Sequence, residues 1–169
     1  MQTESARMSS AAEARFRVDY PNSEPRVTKV VALDDASEQV VKRVAQQSWR
    51  RANFFTSLKL DGAPRREGWS MQAWLSDLAG RTKALVEEVA SADLVVMVAS
   101  AGASAEAASV IGEACSARKV MTTALIVGSG GRSDEELSRT LAALRPYASM
   151  LVIANDDEYI EEMLAALRA

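Results

Sequence analysis

Apolar residues in this chain fall into short unbroken runs, and the segments between them carry apolar residues at helical spacing. Residues 93–98 (DLVVMV) are too apolar to alternate and too short to span a membrane, which predicts a strand buried on both faces of a parallel sheet. From about residue 104 the period changes, with Ala107, Val110, Ile111, Ala114 and Cys115 recurring as on one helix face. Residues 120–127 form the next apolar run. This β-α-β unit, residues 92–129, organises the chain. Its small-residue loop leaves the carboxyl end of the first strand, where open α/β sheets place ligands.

The same reading extends in both directions. Residues 1–26 are polar, mixed in charge and punctuated by Pro21 and Pro25, so they predict a flexible arm. Residues 27–33 (VTKVVAL) predict the first strand, and Asp35 with Glu38 has capping-box spacing for a helix running to about Trp49. A second strand is predicted at 53–60, and residues 70–91 read as helical with a break at Gly80. Beyond the central unit, Ser133 and Glu136 form a second capping box for a helix that Pro146 stops. Residues 149–154 predict the last strand, with Asn155 and Glu158 capping a terminal helix whose apolar face carries Ile160, Met163, Leu164 and Leu167. Strands alternating with helices predict a three-layer α/β domain over residues 27–169. Its sheet is mostly parallel and Rossmann-like, with five strands or slightly more and helices on both faces.

The chain is 169 residues long, enough for one domain with a substantial core. It contains no histidine, which removes Ser-His-Asp and Cys-His catalysis, histidine metal sites and histidine pH switching together. The single cysteine, Cys115, cannot form an internal disulfide and sits on the apolar face of the central helix, as a buried structural thiol does. A net charge of −3 argues against a dedicated nucleic-acid binder. The amino terminus has no apolar signal region and no run approaches the ~20 residues of a membrane helix, so the expectation is a cytoplasmic protein.

Three groups of residues carry chemistry. Asp34, Asp35 and Glu106 would leave neighbouring strand ends and could hold a divalent cation or an amine; helix capping and dipole complementarity account for the same positions. Residues 128–133 (GSGGRS) supply glycines, a helix start and Arg132, which suit an anion, although a flexible connection reads the same way. Trp49, Phe54, Phe55, Trp69 and Trp74 are interleaved with basic residues of 42–66. This is a pattern for a protein interface, for ordinary core, or, least in keeping with the net charge, for stacked nucleobases.

Three segments resemble the nucleotide-binding half of the bacterial tubulin-like GTPase FtsZ. Residues 92–99 (ADLVVMVA) are similar to that family's strand ADMVFVTA, residues 107–115 (AASVIGEAC) to its helix AAPVIAEIA, and residues 144–156 (LRPYASMLVIAND) to LRKHVDTLIVIPND. The departures decide what the resemblance implies. The family's first glycine run is replaced by Leu33-Asp34-Asp35-Ala36-Ser37, and its GGGTGTG loop by residues 100–106 (SAGASAE), where Gly102 alone remains a glycine. The resemblance therefore implies a tubulin-like domain without its GTPase apparatus, binding no GTP and needing no cofactor. It would work through a protein partner or through self-association, a homodimer being favoured. Without the family's second domain, surface that the family's long central helix covers would then be exposed. The candidate interface positions are Arg50, Arg51, Arg65, Arg66, Trp69 and Trp74. The alternative is a ligand-binding protein or enzyme with a pocket rebuilt at the carboxyl edge of the sheet. That pocket would draw on Asp34, Asp35, Ser100, Gly102, Ser104, Glu106, Gly130, Gly131, Arg132 and Asn155.

Overall fold

The computed structural model describes residues 25–56, 87–128, 130–154, 159–167 and 169. The expected arm at 1–26 lies almost wholly outside these residues, as do Arg65, Arg66, Trp69, Trp74 and Asn155. Strands β1 (Thr28–Ala32), β2 (Ala52–Thr56), β3 (Leu94–Ser100), β4 (Met121–Val127) and β5 (Met150–Ile153) form one parallel sheet in the order β2-β1-β3-β4-β5. The helices are α1 (Asp35–Val44), α2 (Ala107–Arg118), α3 (Asp134–Leu144) and α4 (Tyr159–Ala166), with residues 87–90 also helical.

Alternation along the strands divides the core in two. Val31, Val95, Met97, Ala124 and Ile126 face α2 and α3 through Ala108, Ile111, Cys115 and Leu144. Val30, Ala32, Val96, Val98 and Leu125 face α1 and α4 through Val40, Val41, Val44, Ile160 and Leu164. The protein is thus a three-layer Rossmann-like α/β domain with helices on both faces, as the apolar runs predict. β1 and β3 are buried throughout, which is why their sequences do not alternate. Lys29 is the one charged residue in these two strands. It is 5% exposed, and its ammonium group is held 2.9 Å from Glu88 and 5.4 Å from the centre of the Phe55 ring.

Several boundaries differ from those the sequence predicts, each for a visible reason. The cap of α1 is Asp34, whose carboxylate accepts from Ser37 N–H at 2.9 Å while Ser37 Oγ accepts from Asp34 N–H at 3.1 Å. Glu38 instead pairs with Lys42 one turn on, at 2.8 Å. α1 ends at Val44 rather than near Trp49, because the indole folds back and donates to Val44 O at 2.8 Å. α2 begins at Ala107, after β3 has run on through Ser100. α3 is capped by Ser133 and Glu136 as expected, and passes into a 3₁₀ turn over Arg145–Tyr147 that contains Pro146.

Candidate functional site

Among the described strands the order reverses at β1 and β3, where successive connections leave in opposite directions. Open α/β sheets bind ligands in the crevice outside the carboxyl ends of such strands, usually against a helix amino terminus. Here a side chain of the protein fills that place. Asp34 follows β1, and its Oδ1 accepts from the N–H of Ser37 in the first turn of α1. Its Oδ2 accepts from the N–H of Ser100 at the end of β3, at 2.7 Å. One carboxylate therefore joins the two strand ends and takes N–H donors that would otherwise face a bound anion.

The loop after β3 is closed in the same manner. Ala101 N–H donates to Val127 O at 3.1 Å and Ala103 N–H to Ser100 O at 3.1 Å. Gly102 N–H donates to the buried Thr140 hydroxyl of α3 at 2.9 Å. Every backbone N–H from Ser100 to Ala103 is consumed within the fold, whereas a phosphate-cradling loop presents such groups to its ligand. Gly102 keeps a glycine's backbone, with φ of +84°, but a Cβ there would lie 3.2 Å from Glu136. Its glycine character serves a close approach to α3.

The acidic trio is not gathered into one cluster: its members take separate local roles. Both oxygens of Asp34 are engaged by N–H groups, and Asp35 is exposed in the first turn of α1. Glu106 is exposed at the start of α2 and makes no side-chain capping bond. Among the described residues no three His, Cys, Asp or Glu side chains cluster as metal ligands. Capping accounts for Asp34. Ser104 is exposed, and neither it nor Asp34 lines the cleft beside α1.

The connection from β4 to α3 brings in the basic residue. Gly128 and Gly131 adopt φ of +66° and +87°, and Gly130, Gly131 and Arg132 are all exposed. Glu136 Oε2 accepts from Ser133 N–H at 3.1 Å, and its Oε1 lies 3.6 Å from Arg132 Nη1. The Ser133 bonds, with Arg132 and Arg139 nearby, hold the Glu136 carboxyl below the usual glutamate range. Between this connection and α1 lies a cleft of about 280 Å³ whose polar lining comes from Gln39, Arg43, Ser100 and Arg132. Of the expected pocket residues, the structure brings Ser100 and Arg132 into it. Gln39 and Arg43 were missed. Their spacing with Ala36 and Val40 marks one helical face turned toward the strand ends, a signal that was present in the sequence.

Of the aromatics expected at an interface, Trp69 and Trp74 lie outside the described residues, and the other three pack against the core. Trp49 and Phe54 are half-buried against the α1–α4 core, with ring centres 6.1 Å apart, and Phe55 packs against the opposite core. Arg50 and Arg51 are exposed, and Arg51 reaches Pro25 O at 3.5 Å. Cys115 is buried, and burial raises its thiol pKa to about 11, which suits an inert core position.

Among the described residues no helix is long and apolar enough to cross a membrane. No family model matches the sequence, and no curated protein matches it.

Proposed function

We propose that this chain is a non-catalytic α/β module, FtsZ/tubulin-like in kind, that works by binding protein and neither holds nor hydrolyses GTP. The observation that carries the reading is the carboxylate of Asp34, bonded to the N–H groups of Ser37 and Ser100 where a nucleotide phosphate would need them. The large apolar side chains exposed among the described residues, Met121, Met150, Ile153 and Tyr159, come from β4, β5 and the start of α4 and support a protein-binding role. Calorimetric titration with GTP and Mg²⁺, alongside a phosphate-release assay, tests the reading. No saturable heat and no phosphate above a blank are expected. Micromolar affinity or turnover would overturn it.

The cleft beside α1 favours a second reading, a small anionic ligand. Its polar lining contains two arginines, Arg43 and Arg132, and no carboxylate. A thermal-shift series with inorganic phosphate, sugar phosphates and dicarboxylates distinguishes the readings. Stabilisation that Arg132→Ser abolishes favours the ligand; a flat series removes it.

A further inference from the structure

β5 is the last strand of the sheet, paired with β4 on one side only among the described residues. Natural edge strands are guarded by charge, proline, a bulge or a covering element. β5 reads Met-Leu-Val-Ile, with no charge and no proline. Met150 is 41% exposed on the face of α1 and α4, and Ile153 is 44% exposed on the face of α2 and α3. Apolar surface therefore continues past the edge on both faces of the sheet at once, as it does where another strand follows.

The backbone is set for one. Ala154 N–H donates to Ile126 O, and bonding groups alternate sides along a strand. Leu151 and Ile153 accordingly direct their N–H and C=O groups away from β4.

Charge selects the direction in which a second strand would run. Arg118, Lys119 and Arg145 are exposed at the helix ends beside the amino-terminal ends of β4 and β5. Glu161 and Glu162 lie in the first turn of α4, beside the carboxyl end of β5. An antiparallel neighbour of the same sequence places the basic end of each copy beside the acidic end of the other; a parallel neighbour opposes like charges.

We propose that the β5 edge is a self-association surface, on which a second copy of this chain pairs its own β5 antiparallel about a two-fold axis at Val152. The two five-stranded sheets then become one. In this register Leu151 opposes Ile153 of the other copy on the same face, and each such pair exchanges both of its hydrogen bonds. The interface is self-complementary and closed, so it yields a dimer and no filament. The proposal names the partner in the protein-binding reading and rests on it.

The test is sedimentation equilibrium of the full chain over a concentration series, at low and high salt. The mass should rise from one chain to two, with weaker association at high salt. Ile153→Lys puts a charge on an exposed edge position without removing a backbone bond to β4, and should weaken association at least about tenfold with an unchanged circular dichroism spectrum. Arg145→Glu should weaken it too, and combining that change with Glu162→Arg should restore it. A wild-type chain that stays monomeric at every concentration and salt overturns the proposal. So does Ile153→Lys dimerising as tightly as wild type. A monomer that still leaves GTP unbound refutes the dimer alone, whereas tight GTP binding refutes the underlying reading.

Discussion

Replacing Asp34 by alanine removes two separate bonds from one carboxylate, and the structure allows each to be weighed. Loss of the α1 cap, the Oδ1 bond to Ser37 N–H, costs about 1 kcal/mol by the usual range for such residues. Loss of the Oδ2 bond leaves Ser100 N–H without its acceptor at a residue only 9% exposed, which costs a further 1–3 kcal/mol, roughly. Asp34→Ala should therefore destabilise the fold by about 2–4 kcal/mol. Asp34→Asn separates the two contributions. An amide has one oxygen, so it can cap α1 or accept from Ser100, and its NH₂ group then faces the other donor. It should fall between wild type and alanine. Urea unfolding followed by circular dichroism measures all three, with the midpoint falling and the slope unchanged. An alanine variant within about 0.5 kcal/mol of wild type, the scale of an ordinary surface change, would refute the bridge as a structural element.

Other positions give sharper yes-or-no outcomes. A Cβ on Gly112 would lie 2.4 Å from Tyr147 Cβ and 2.7 Å from its ring. Gly112→Ala should thus cost about 1–2 kcal/mol despite a helix-propensity gain near 1, and a stabilised variant in urea unfolding would show that Tyr147 yields freely. Cys115 should react with thiol reagents only as fast as the fold opens; rapid stoichiometric labelling of native protein would contradict its placement. Its raised pKa has no effect near neutrality. As pH rises toward about 11 the unfolded thiol ionises first, and stability declines. For Glu136 the sign is opposite: its lowered pKa contributes stability above the ordinary glutamate range, lost as pH falls through the lowered value. Glu136→Gln should flatten that acid limb in unfolding curves taken across acidic pH, and an unaltered limb would assign it elsewhere.

What was legible in the sequence was local, and what was hidden joins distant residues. β1, β3 and β4 stand out as largely apolar runs because both faces of each are covered. The Ser133–Glu136 box is readable because its partners are three residues apart. Asp34 reads first as a cap and also as a ligand, and the bond that ties it to the neighbouring strand reaches Ser100, 66 residues away. Lys29 looks like an intrusion in an apolar strand until Glu88, 59 residues on, supplies its partner. Trp49 beside basic residues suggests an interface by composition, yet its indole N–H is spent on the end of its own helix. Gly102 was visible as a surviving glycine, while the Thr140 hydroxyl that takes its N–H lies on another helix.

The central claim is that the crevice between β1 and β3 is closed by the protein's own groups, and amide NMR tests it most directly. The N–H signals of Ser37, Ser100 and Gly102 report on the donors that Asp34 and Thr140 occupy. Under this account these amides exchange slowly with solvent and do not move as GTP and Mg²⁺ are added. Fast exchange, or saturable shifts centred on these amides at micromolar GTP, would contradict it.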